Sequence, residues 1–377
     1  MLNRVYLDHA AGAPTLPEAS AAMIDVLGRP GNPSSLHTAG RDARRRLEEA
    51  RESLAADLGA HPSEVVFTSG GTEANNLALC GSVWSSRMTP RPRLAVSAVE
   101  HPSVAGVRSR HAEVELLPVT PGGHLDLAAA AALVDARTAL VSVMWVNNET
   151  GAVQPIDEVV GIAGSVGAWS HSDAVQAFGH VPISFAAAGL DLLSVSAHKL
   201  GGPVGIGALL VRRGVKPVTS GFGGGQEAGL RSGTVPVALA AGFAAAARVS
   251  CARLSAEAAR LAALRDRLIG AALATVPGCR ANTIDPCGPA IVNLTFEGVR
   301  ADDVLLLLDA AGFDASTGSA CNAGVHQASD VLLAMGRSLP DASASLRFSF
   351  GPGTTGPQIE ALLAVLPDVV ARARSAA

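Results

Sequence analysis

Ser194-Val-Ser-Ala-His-Lys-Leu-Gly-Gly-Pro-Val-Gly-Ile-Gly207 joins two apolar runs, Leu190 to Val195 and Ile206 to Val211, through a turn that carries one lysine. The runs read as buried strands, and the glycines and proline between them break regular structure. Lys199 therefore stands at the end of a strand, among small residues and few charges. An amine in such a setting loses its proton more readily and becomes a nucleophile. Alone, the segment favours an ordinary loop lysine; the rest of the chain reverses that reading.

Upstream, Val65-Val-Phe-Thr68 is a short strand, and Ser69-Gly-Gly-Thr-Glu-Ala-Asn-Asn76 turns it into a helix. A strand, a glycine turn and a helix start leave free backbone amides at the positive end of a helix dipole, which suits a phosphate. Gly71 allows the close approach and Thr72 offers a hydroxyl. An ordinary N-capped helix has the same pattern. Leu94 to Ser97 leads to Glu100-His101, Thr138 to Val146 to Asn147-Asn-Glu-Thr-Gly151, and Trp169-Ser-His-Ser-Asp173 to Ala174-Val-Gln176. Helical segments lie between, among them an amphipathic helix over Thr38 to Leu58. This alternation predicts an α/β fold with a mainly parallel sheet covered by helices, its ligand site at the carboxyl ends of the strands.

Downstream, Gly221 to Thr234 is glycine-rich and precedes an alanine-rich helix over Pro236 to Arg248, with a further helix over Ala252 to Ala274. Pro277 to Pro289 reads as a loop, Ile291 to Phe296 as a strand, Asp302 to Ala311 as a helix and Leu346 to Phe350 as a strand. Ser316-Thr-Gly-Ser-Ala-Cys-Asn-Ala-Gly324 is a loop of small residues. The expected organisation is a large domain over residues 15–251 and a smaller α+β domain from 1–14 and 252–377.

A chain of 377 residues with 48% hydrophobic content suits two domains in close contact. The net charge of -4 gives no reason to expect nucleic acid or a membrane surface. The start of the chain has no secretory pattern, and the alanine-rich windows are too short to span a bilayer, so a cytoplasmic protein is expected. Five cysteines without a Cys-x-x-Cys pair argue against a disulfide framework or structural zinc, and no metal site is expected.

A strand-end lysine, a strand-end aspartate, a phosphate-type helix start and a histidine at another strand end are the set that pyridoxal 5'-phosphate requires. Lysine forms a Schiff base, and the carboxylate keeps the pyridine nitrogen protonated so that the ring withdraws electrons from a substrate carbanion. Asp173 fits the second role, and His101 fits stacking and proton transfer. Each residue alone is better explained as a cap or a core group; together they point to this cofactor.

In order along the chain, Tyr6-Leu-Asp8, Gly31 to His37, Thr68 to Asn76, Val99-Glu-His101, Val146 to Gly151, His171 to Gln176, Ser196-Ala-His-Lys199, Arg231 to Pro236, Ser319-Ala-Cys321 and Leu346 to Ser349 make the sequence resemble the cysteine desulfurases. These are aminotransferase class V, fold-type I pyridoxal phosphate enzymes, and the resemblance spans nearly the whole chain. It implies a seven-stranded-type sheet, Lys199 as the Schiff-base lysine, Asp173 on the ring nitrogen, Gln176 on the phenolic oxygen and His101 on the ring face. Thr72, Ser196 and His198 would hold the phosphate, with Thr234 from a neighbouring subunit of a homodimer. Arg347 and Asn148 would hold the carboxylate of L-cysteine. Cys321 would take the sulfur as a persulfide, releasing L-alanine, for delivery to an acceptor protein in iron–sulfur cluster assembly, transfer RNA thiolation or another pathway. A selenocysteine lyase or C–S β-lyase on the same fold is the nearest alternative, and a non-catalytic sulfur-carrier or assembly subunit a more distant one. Three stretches depart from the family pattern: Ala11-Gly-Ala-Pro14, Gly201-Gly-Pro-Val-Gly205, and Gln226 where histidine is common.

Overall fold

The computed structural model describes residues 4–85, 91–109, 112–219, 221–318 and 328–376. In chain order its strands are β1 (Val5–Tyr6), β2 (Val65–Thr68), β3 (Arg93–Ser97), β4 (Glu113–Leu117), β5 (Thr138–Ser142), β6 (Trp169–Asp173), β7 (Leu192–Ser196), β8 (Gly207–Val211), β9 (Cys279–Ala281), β10 (Ile291–Phe296), β11 (Phe313–Asp314) and β12 (Ser345–Ser349). Strands β2 to β8 form one seven-stranded sheet in the order β2-β8-β7-β6-β5-β3-β4. Every pairing in it is parallel except those of β8, which runs antiparallel to both β2 and β7. The central strands β5 and β7 are buried at every position, as a sheet covered on both faces demands.

The reversal at β8 follows from the turn quoted first. Only Ala197 to Ile206 separates β7 from β8, too few residues for a parallel crossover, so the chain returns as a neighbour. Gly207 opens β8 where a Cβ would meet Val195 O at 2.6 Å and Gly70 Cα at 2.8 Å. The absence of a side chain there lets β8 lie against the turn after β2.

A second sheet, β12-β10-β9, is antiparallel, and β1 pairs in parallel with β11. Leu7, Leu268, Val292, Leu294, Phe296, Leu346, Phe348 and Leu362 make up much of its core, whereas Leu54, Phe67, Phe178, Leu193, Val195 and Phe243 belong to a core beside the large sheet. Hydrophobic residues of the N-terminal arm thus pack with the C-terminal part of the chain.

Three expectations are corrected. The segments read as separate helices over Pro236 to Arg248 and Ala252 to Ala274 form one continuous helix, Val237–Thr275. Val249-Ser-Cys-Ala252 contains no glycine or proline, and nothing in the backbone breaks the i to i+4 ladder there. The helix is long and apolar enough to span a membrane by length and composition, but Ala240, Phe243, Ala246 and Ala247 in its apolar half are buried in the core beside the large sheet. Pro277 to Pro289, read as a loop, contains β9, an edge strand whose partner β10 supplies the ladder. The strand expected over Thr138 to Val146 ends at Ser142.

Candidate active site

The carboxyl ends of the strands meet in a cavity of about 350 Å³. Ten of the expected site residues line it: Gly71, Thr72, His101, Asn148, Asp173, Gln176, Ser196, His198, Lys199 and Arg347. Thr234 does not; it is exposed on the glycine-rich loop, and this chain alone does not bring it to the cavity. Cys321 lies outside the described residues, although Ser316 and Gly318 just before it reach the cavity wall.

Lys199 follows β7 in a single 3₁₀ turn, Ala197–Lys199. Its Nζ donates to Ala10 O at 2.6 Å and to Ala11 O at 2.8 Å, both on the N-terminal arm. Burial, helped by the positive charge of Arg347, lowers its pKa to about 8, against the opposing pull of Asp8 and Asp173. His180, half-buried and neutral, lies with Nε2 3.1 Å from Lys199 O and steadies the turn. That residue was not foreseen, since a histidine twelve positions before β7 carries no sequence signal.

Asp173 ends β6. Burial pushes its carboxyl pKa up, while hydrogen bonds from Val175 N (2.9 Å to Oδ1) and Asn75 Nδ2 (2.7 Å to Oδ2) hold the ionised form. Asn75 is the second unforeseen residue. Its signal was available: it lies four residues after Gly71 on the helix Gly71–Ser85, and i, i+4 positions share a face. His101 opens a short helix after β3, where its Nδ1 accepts from Ser103 N at 3.1 Å. Burial lowers its pKa, more than Asp173 raises it, so the ring is neutral.

At the phosphate-type end, the amides of Gly71 and Thr72 have no acceptor among the described residues, while Ala74 N already bonds Gly70 O. Ser196 Oγ and His198 Nδ1 are 2.8 Å apart beside them. Burial and the Lys199 charge lower the His198 pKa to about 4. On the opposite wall Arg347, from β12, donates from Nη1 to Asn148 O at 2.8 Å and from Nη2 to Asp8 Oδ1 at 2.7 Å. Gln176 Nε2 donates to Ala10 O at 2.8 Å, so its amide contacts the arm as well as the cavity.

The residues fit the cofactor that the sequence points to. Two buried polar atoms of the lining, Asn75 Oδ1 and Arg347 Nε, lack any hydrogen-bond partner among the described residues. A buried carboxylate, a half-neutral amine and free helix amides in one cavity answer a cationic ring nitrogen, an aldehyde and a phosphate in turn.

The departure from the family pattern at Gln226 is accommodated. Gln226 Oε1 accepts from Gly233 N at 2.9 Å and closes the glycine-rich loop on itself. Glu227 next to it is buried against Arg51, whose Nη1 and Nη2 reach its two oxygens at 2.8 and 2.7 Å, and it accepts from Phe67 N at 2.7 Å. The loop is thus anchored to β2, the strand that leads to the phosphate-type turn.

The aminotransferase class-V family matches residues 5–362. An IscS-like cysteine desulfurase of Mycobacterium tuberculosis is 48% identical over 99% of this chain and 98% of its own length. Among solved structures, a NifS-like protein superposes with a TM-score of 0.90 at 31% identity, covering 98% of this chain and 100% of that one. SspA in complex with cysteine superposes with a TM-score of 0.80 at 32% identity, covering 93% and 99%. With its sheet order, its cavity and its full-length similarity in agreement, the chain belongs to the aminotransferase class-V family and, within it, to the cysteine desulfurases.

Proposed function

We propose that this protein holds pyridoxal 5'-phosphate in the cavity around Lys199 and converts L-cysteine to L-alanine, passing the sulfur to Cys321 for an acceptor protein. The observation that carries the reading is the meeting of Lys199, Asp173, the Gly71 helix start and Arg347 in one cavity. The relative solved with cysteine bound supports the substrate.

When bound, the cofactor supplies an aldehyde for amino groups and an electron-poor ring that accepts the electrons of a broken Cα–H bond. The Gly71 and Thr72 amides, Ser196 and His198 would hold its phosphate, and Asp173 would hold its ring nitrogen, with Asn75 fixing the carboxylate. His101, neutral, would stack on the ring, and Gln176, beside the arm carbonyls, would take its phenolic oxygen. Arg347 binds the substrate carboxylate through its fork of N–H groups, with Asn148 beside it. Lys199, its pKa near 8, takes the Cα proton as a free amine and returns it. The Cys321 thiolate then bonds to the substrate sulfur. The Cβ–S bond breaks with its electron pair on carbon, which takes a proton to become the methyl group of alanine, and the persulfide stays on Cys321.

We also infer a homodimer in which Thr234 of one subunit completes the phosphate site of the other, a cytoplasmic location, and a smaller domain of residues 1–14 and 252–377 beside a larger one of 15–251. Pairing of β1 with β11 supports that division, and the helix Val237–Thr275 runs through its boundary.

Visible absorption that shifts on adding L-cysteine, and is lost in Lys199→Ala, is the expected spectroscopic result. Cys321→Ser is expected to keep that shift and lose alanine formation. Sulfide release by Cys321→Ser at the wild-type rate would instead identify a β-lyase.

A further inference from the structure

Glu149 lies in the turn after β5, next to Asn148. Its backbone is held from both sides: its N–H donates to Asn147 Oδ1 at 2.9 Å, and its carbonyl accepts from Asn293 Nδ2 on β10 at 3.2 Å. The side chain is buried, and Oε2 accepts the hydroxyl proton of Ser329. Gly318 packs on the same carboxyl: a Cβ built there would stand 3.3 Å from Oε2 and 3.4 Å from Cγ. At φ +83° the backbone of this residue favours glycine, and a side chain there would crowd the carboxyl.

Gly318 and Ser329 bracket the segment of sequence, 319–328, that contains Cys321. One buried carboxyl therefore bonds a residue on the C-terminal side of that stretch of sequence and lies beside the residue on its N-terminal side. The same turn is locked to the substrate wall, because Arg347 donates to Asn148 O and exchanges backbone hydrogen bonds with Ser316 at 2.7 and 3.1 Å. Burial raises the Glu149 pKa against the hydrogen bond from Ser329 and the charge of Arg347, and Asp330 raises it further. A buried acid is costly to keep. No step of the proposed chemistry uses it, so its retention calls for a role in placement.

We propose that Glu149 is a positioning residue for sulfur transfer, its carboxyl bonding Ser329 and lying beside Gly318 so that these two residues, which flank Cys321 in the sequence, are held in place relative to Arg347. The inference rests on the desulfurase reading and concerns only the second half of the reaction.

The test compares wild type, Glu149→Ala, Glu149→Gln and Ser329→Ala as cofactor-loaded enzymes. Two readouts separate the halves: the absorption shift on adding L-cysteine, which needs Lys199 and Arg347, and single-turnover persulfide formation on Cys321, read by mass spectrometry alongside alanine. Glu149→Ala is expected to keep the absorption shift with its cysteine dependence within about threefold, while persulfide formation slows by about tenfold to a hundredfold. Glu149→Gln, which still accepts the Ser329 hydroxyl, is expected to restore most of that loss. Ser329→Ala is expected to show the same split as Glu149→Ala, and it decides the question if Glu149→Ala does not fold. Wild-type persulfide rates in Glu149→Ala, or in Ser329→Ala should it have to decide, overturn the inference, as does equal loss of both readouts. A wild-type enzyme that shifts its absorption but makes no alanine overturns the desulfurase reading instead.

Discussion

Arg347 and Asp8 form an ion pair at 2.7 Å that ties β12 to the N-terminal arm, with the guanidinium almost wholly buried and the carboxylate partly so. The arm that pairs with Arg347 also supplies the carbonyls that hold Lys199, through Ala10 and Ala11. Asp8 thus occupies part of the donor fork that a substrate carboxylate needs. Asp8→Asn is expected to lower the KM for L-cysteine while costing about 1–3 kcal/mol of stability in urea unfolding. Arg347→Lys keeps the charge but loses the planar fork, and is expected to raise KM by about tenfold or more with a smaller change in kcat.

Gly71 is the position where the phosphate-type turn meets the residues after β6. A Cβ there would lie 2.7 Å from Val175 Cγ2. Gly71→Ala is expected to weaken pyridoxal phosphate binding by about tenfold, roughly 1.4 kcal/mol. Val175→Ala in the same chain removes the colliding methyl and is expected to restore most of the affinity, as measured by cofactor titration.

Lys199 titrates near pH 8 because burial and Arg347 disfavour its charged form. The shift is downward, so free amine accumulates as pH rises through about 8 rather than 10.5. At pH 7.5 the neutral fraction is on the order of a hundredfold above that of an ordinary lysine. Reductive methylation of the cofactor-free protein with formaldehyde and cyanoborohydride is expected to label Lys199 first. Its labelling midpoint, read by mass spectrometry across a pH series, should fall near pH 8.

The Arg51–Glu227 pair is buried on both sides, and Arg51 also stacks 4.8 Å from the centre of the Phe67 ring. Arg51→Met strands the Glu227 carboxylate. It is expected to cost about 3–5 kcal/mol in denaturant unfolding, far more than removing the exposed pair Arg267–Glu360. Because Glu227 also holds Phe67 N, loss of the pair should loosen the glycine-rich loop that carries Thr234.

The large sheet was readable in the sequence because its strands are apolar runs broken by turns with polar ends. The helix over Thr38–Leu58 and the strand Trp169–Asp173 match their expected limits to the residue. What escaped was structure defined by partners far away in sequence. β9 exists only because β10 supplies its ladder, and the union of two expected helices depends on packing at both ends of Val237–Thr275. At the site, single-residue chemistry was legible for Lys199, Asp173 and Arg347. Asn75, His180 and Asp8 act by holding those groups; Asn75 carried a signal in its i+4 spacing to Gly71, whereas the supporting hydrogen bonds of His180 and Asp8 leave no pattern in a linear sequence.

The helix Val237–Thr275 buries Phe243 and Ala247 in one core and Leu261, Leu268 and Ala272 in the other. Both sets of residues share one helical phase, since each residue advances the helix by about 100°. Residues between Arg248 and Arg260 are half-buried or exposed, none of them fully buried. One inserted residue there would turn the distal half through about 100° and present its polar side to the core. The length of that stretch is therefore as tightly specified as the identity of any buried side chain.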